Sequence, residues 1–236
     1  LDAESFVHPI GDWDVSQATN MSGMFKRAST FDQPLNTWNT SNVTNMKSMF
    51  AAAKMFNQPL SAWDTSQVTT MENMFFNATS FNQPLHAWNT ARVTTMKEMF
   101  WAAKNFNGAV GAWDTSQVTN MARMFRAAQA FDQPVEDWNT SQVTNMENMF
   151  YDATSFNESL DRWDVSHVED MRAMFYKAKA FNRPLASWQV SNVHTMSNMF
   201  FKATAFSFDL GTWDVSNVKH MDKMLHRNAM GTDTYD

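Results

Sequence analysis

The 236 residues contain no cysteine, which excludes a disulfide framework and thiolate metal sites. Basic excess is missing too: the net charge is −6, which argues against a nucleic-acid partner, since that would call for a basic stripe facing phosphates. No apolar run approaches the roughly 18 residues of a membrane span, and no signal peptide is visible. The six histidines are scattered, and there is no nucleophile–base motif, phosphate loop or zinc-protease helix. Glycine and proline are scarce, at six each. The bias lies elsewhere: 20 Met, 20 Phe and 10 Trp direct attention to internal repeats.

Trp recurs every 25 residues without a slip, from Trp13 through Trp38, Trp63, Trp88, Trp113, Trp138, Trp163 and Trp188 to Trp213. With Trp as position 1, the unit reads W-[DN]-[VT]-S-x-V-T-x-M-x-x-M-F-x-x-A-x-x-F-[ND]-Q-P-L-x-x. The whole chain, 1–236, is therefore read as a single repeat array. It comprises a partial repeat over 1–12, eight full repeats over 13–212 and a partial, capping repeat over 213–236. Ala3, Phe6, Pro9 and Ile10 keep register with the second half of a unit. The chain thus begins in mid-repeat at Leu1, which suggests coils upstream or a processing site there.

Met, Met, Phe and Ala fall at positions 9, 12, 13 and 16, as in Met71, Met74, Phe75 and Ala78. The spacing i, i+3, i+4, i+7 predicts one face of a helix. Thr at position 7 would cap it, with Glu72 and Glu147 placed for a capping box. Pro at position 22 ends it, and Leu-x-x-Trp-x-[VT] reads as a short strand. The expected fold is α/β: an open curved solenoid with one short parallel strand and one helix per coil. The bend follows from strands about 4.8 Å apart against helices about 8–10 Å apart, which puts strands on the concave side.

The unit resembles the 25-residue repeat of BspA-like surface proteins, a leucine-rich-repeat-related group that includes mycoplasma-type repeat domains. The resemblance covers nearly the whole chain. It implies a leucine-rich-repeat-like fold, an extracellular or cell-surface location, and adhesion or partner binding, and it brings no catalytic residue. The chain departs from a typical leucine-rich repeat at position 6, where Val (Val43 through Val218) stands in place of an Asn ladder.

Two surfaces are candidate binding sites. Position 14 lies about 150° from the middle of the apolar face on a helical projection. It nonetheless carries Phe76, Trp101, Arg126, Tyr151, Tyr176 and Phe201; contiguous outward aromatics read as a convex interaction ridge, or else as cover for grooves between helices. Glu136, Asp137, Asp161 and Asp164 form an acidic patch on the concave face, relieved by Arg162; it is either a solvated face or a dock for a basic partner or a cation. The Met columns read as core filler against aromatics rather than thioether metal sites. The alternation Asp14, Asn39, Asp64, Asn89 at position 2 reads as a ladder in which each amide separates two carboxylates. Glu169, Asp170, His194 and His220 sit on one edge of three coils, but no metal site is assigned to them, nor any cofactor. The sequence points to a non-enzymatic scaffold binding a protein or glycan. The alternative is a structural subunit that self-assembles into a larger extracellular array or filament.

Overall fold

The computed structural model describes residues 5–229. Ala3 and the end of the capping repeat, 230–236, lie outside them. Coil 1 covers 13–37, coil 2 covers 38–62, and each later coil adds 25 residues up to coil 8 at 188–212; coil 9 starts at Trp213.

The expected helix is absent. Among the described residues there is no helix at all, and extended pairing is reduced to one parallel bridge per coil interface, at position 8. These bridges run from Asn20↔Asn45 to Thr195↔His220. An α/β coil with one strand and one helix is therefore not what this sequence builds. The segment from position 9 to position 16 is instead a ribbon of consecutive turns.

The hydrogen bonds give the reason. In a helix every amide donates four residues back within its own segment. Here amides at positions 12, 14 and 16 donate three residues back, as in Met74→Met71, Phe76→Asn73 and Ala78→Phe75, at 3.1 Å each. Amides at the alternating positions leave the coil altogether: Asn73, Phe75 and Asn77 donate to Lys97, Met99 and Trp101 of the next coil at 3.0, 2.8 and 2.6 Å. Turning every second amide outward requires a left-handed residue at positions 11 and 15. Coil after coil supplies it, with φ of 58° at Asn73, 54° at Asn77, 59° at Arg123 and 55° at Ala127. Each such non-glycine residue costs roughly 1–2 kcal/mol, offset by an inter-coil hydrogen bond worth about 1 kcal/mol net and by the apolar burial that stacking brings.

The four apolar columns face inward although the element that carries them is not a helix. Positions 9, 12, 13 and 16 are fully buried in coils 2 to 8. The i, i+3, i+4, i+7 spacing fits a helix and also this ribbon, whose paired turns return the same four side chains to one side. The capping reading fails with the helix. The Thr69 and Thr144 hydroxyls donate across to the carbonyls of Thr44 and Thr119, Glu72 pairs with Lys47 at 2.8 Å, and Glu147 pairs with Arg123 at 3.0 Å.

The other sides of the coil are tied by side chains. Every Trp from Trp38 to Trp213 donates its indole N–H to the carbonyl 28 residues earlier, for example Trp113 to Leu85 at 2.9 Å. The buried Thr at position 3 donates to the next coil, as Thr90 does to the Asp114 carbonyl at 2.8 Å. At position 20 an Asn/Asp ladder runs through the stack. The amide of Asn82 donates to Asn57 Oδ1 at 2.9 Å, Asn107 to Asn82 at 2.8 Å, and Asp132 to Asn107 at 2.9 Å. Position 6 is not vacant of purpose: its Val is core, and the ladder sits fourteen positions further on. Without a helix layer, the spacing argument for a bend loses its premise.

One hydrophobic cluster extends from Ile10 to Trp213. Its spine is aromatic. Phe125 stacks on Phe131 of its own coil at 3.8 Å and on Phe100 and Phe150 of the neighbouring coils at 5.6 and 5.7 Å. Trp113 and Trp138 are parallel at 6.2 Å. Trp13, in coil 1, is 55 % exposed, whereas every Trp from Trp38 to Trp213 is buried.

Candidate functional site

Position 14 immediately precedes a left-handed residue and follows the core Phe of position 13, so the ribbon turns it outward. Its side chains come together as one continuous ridge. Phe76 meets Trp101 edge to face at 5.1 Å. The Arg126 guanidinium lies between Trp101, at 5.0 Å, and Tyr151, at 4.1 Å, and is steadied by Asn148 Oδ1 at 3.1 Å. Tyr151 stacks on Tyr176 at 4.4 Å, and Tyr176 on Phe201 at 4.8 Å. His226 extends the row, stacked on Phe201 at 5.3 Å. It occupies position 14 of coil 9, and the periodicity alone would have found it.

All seven ridge residues are half-buried. They cover one another rather than grooves between helices. Burial raises the Tyr151 phenol above its ordinary range; Tyr176 adds to the shift and Arg126 opposes it. Arg126 therefore does not interrupt the ridge. It is a cation held between two aromatic faces, an arrangement worth about 0.5–2 kcal/mol.

The acidic patch is locally satisfied. Arg162 donates to Asp137 at 2.8 Å and lies 3.8 Å from Glu136. Glu136 also accepts from Ser159 and Asp161 from Ser187. Asp164 belongs to a different motif: it accepts the backbone N–H of Ser166 at 2.9 Å. That bond recurs at position 2 whether the residue is Asp or Asn, as in Asp64–Ser66, Asn139–Ser141 and Asp214–Ser216. Position 2 thus closes a turn within its own coil and is not a ladder of amides between carboxylates.

Asp170 is engaged by Arg172 at 2.9 Å, and a full coil separates it from His220, since each bridges to Thr195 from opposite sides. Among the described residues no three His, Asp or Glu side chains gather as a metal site would require. Among them, too, no helix is long and apolar enough to cross a membrane.

A family model described as "Mycoplasma protein of unknown function, DUF285" matches residues 1–97, 85–182 and 158–233. The chain belongs to this family. The three matches overlap and tile the repeat array, so the DUF285 signature is carried by several successive coils at a time. No curated protein matches the chain.

Proposed function

We propose that this DUF285 chain is a non-enzymatic recognition scaffold, akin to the BspA-like surface proteins, that works at the cell surface or outside the cell by binding a partner along the position-14 ridge. One observation carries the reading. Across six successive coils, a position outside the Met/Phe core holds aromatics or Arg, packed into one half-exposed row. Aromatic side chains and Arg dominate binding energy at interface centres, and a row already locked by stacking and by Asn148 loses little side-chain entropy on binding. The acidic patch, with its carboxylates answered by Arg162, Ser159 and Ser187, offers no comparable anchors.

The test pans a displayed peptide library on the chain and measures the selected peptides on a Tyr151→Ser, Tyr176→Ser variant. The substitutions remove two stacking pairs worth about 0.5–1.5 kcal/mol each and the Arg126–Tyr151 cation–aromatic contact worth about 0.5–2 kcal/mol, so the melting temperature should fall by about 3–20 °C while the chain stays folded at the assay temperature. The selected peptides should bind at least tenfold more weakly. Unchanged binding would move recognition off the ridge. A changed sedimentation coefficient with unchanged peptide binding would favour a structural, self-assembling role.

A further inference from the structure

Beside the C-terminal half of the ridge lies an open cleft of about 430 Å3, lined by Asp152, Lys177, Lys179, Lys202, Thr204 and Arg227. Four cations meet there in a chain whose net charge is −6. Three of them occupy one repeat position: position 15 is Arg27, Ala52, Asn77, Ala102, Ala127 and Asp152 in coils 1 to 6, then Lys177, Lys202 and Arg227 in coils 7 to 9. The last three coils thus place one cation each, in register, along the stack, and Lys179 at position 17 adds a fourth.

Among the described residues no carboxylate lies within ion-pair distance of any of the four. Lys177 and Lys202 lie over the rings of Tyr176 and Phe201, at 5.5 and 5.3 Å. Asp152, the single acid of the lining, receives a hydrogen bond from Gln129 at 3.4 Å. Lys47, Arg123, Arg162 and Arg172, elsewhere in the stack, are by contrast each paired with an acid.

We infer that this cleft binds an acidic peptide segment, whose successive carboxylates meet the cations of successive coils. The ring geometry argues for carboxylates on a peptide rather than for a sugar chain. Tyr176, Phe201 and His226 spend their faces on one another, at 4.8 and 5.3 Å. Tyr176, stacked by Tyr151 and Phe201, and Phe201, stacked by Tyr176 and His226, offer a pyranose no open face, whereas ring edges carry the positive end of the aromatic quadrupole. Edges and ammonium groups therefore present the same sign to the ligand. The rest of the surface, net acidic, repels the same peptide and confines it to this end of the stack.

The inference shares the neighbouring aromatic edges with the ridge reading but is tested without touching them. A labelled octa-glutamate peptide is titrated into the full chain at low salt, with an octa-serine peptide and a sulfated hexasaccharide as comparators. Octa-glutamate should bind saturably and lose affinity with added salt. The Lys179→Glu, Arg227→Glu variant removes two cleft cations that make no ring contact; it should weaken binding by about tenfold per lost charge-assisted contact. Lys179→Arg should retain binding. Absence of octa-glutamate binding, or equal binding by the charge-reversed variant, overturns the site. Preferential binding of the hexasaccharide overturns the peptide assignment. Library peptides that need Tyr151 would still uphold the ridge if the cleft fails.

Discussion

Replacing Phe125 by Ala strikes the middle of the stack, and its consequences can be worked from the contacts. The ring is fully buried and touches four others: Phe131 at 3.8 Å, Phe100 at 5.6 Å, Phe150 at 5.7 Å and Trp138 at 6.2 Å. A Phe→Ala change in a core costs about 3–5 kcal/mol. Three of these neighbours, Phe100, Phe150 and Trp138, lie in coils 4 and 6 rather than in coil 5, and each loses a stacking partner, so the upper end of that range applies. For a chain of this size each kcal/mol lowers the melting temperature by about 2–4 °C, giving a drop of about 10–20 °C. The form of the transition matters more than its midpoint. Each coil bonds only to its neighbours, so stability is a sum of coil and interface terms. Weakening coil 5 should uncouple coils 1–4 from coils 6–9, giving two calorimetric transitions or a lowered denaturant m-value. A single transition with an unchanged m-value and a midpoint within about 4 °C of the parent would refute the one-dimensional picture.

Three further outcomes follow. Asp14, Asp64, Asp114, Asp164 and Asp214 are held below the ordinary carboxyl value of 3.8 by the hydroxyl and N–H of the Ser two residues on. A carboxyl depressed in the fold contributes stability that is present above its unfolded pKa and lost as pH falls through the folded one. The melting temperature should therefore hold from neutral to about pH 4 and decline below it, and changing all five Asp to Asn should shrink that decline, because Asn39 and Asn139 already close the same turn; identical acid profiles would contradict this. Asn82→Ala removes the acceptor for the Asn107 amide and should cost about 1 kcal/mol in urea unfolding, while Asn82→Asp should stay near the parent, since Asp32 and Asp132 hold the same rung. The Tyr151→Ser, Tyr176→Ser pair should lose ligand while keeping its fold, read by peptide binding and calorimetry together.

The repeat, its 25-residue period and its core columns were legible because they depend on which side chains recur. Met71, Met74, Phe75 and Ala78 are buried as their spacing suggested. The backbone that delivers them was not legible, since left-handed residues fall on Glu98, Arg123 and Ala127 as well as on Asn73 and Gly23, and only Gly and, less strongly, Asn and Asp favour that conformation. The strain is imposed by neighbouring coils, a tertiary cause that no single coil reveals. The same limit explains position 20: an Asn/Asp column reads as turn composition until the next coil supplies the amide. The ridge was legible as a column of aromatics out of phase with the core. Its extension to His226 and its cation–aromatic sandwich at Arg126 depend on registering coil against coil. The basic cleft is not legible in any one segment, because Lys177, Lys202 and Arg227 stand 25 residues apart in sequence.

The central claim is that each coil is a ribbon of turns whose alternate amides leave for the next coil, not a helix. Nuclear magnetic resonance of a chain labelled only at asparagine tests it through Asn73, Asn77, Asn148 and Asn198. Each should give the strong intraresidue amide–α-proton contact and the coupling of a positive φ, near the 54–60° that the four show here. Helical φ at these four residues, about −63°, would contradict the account.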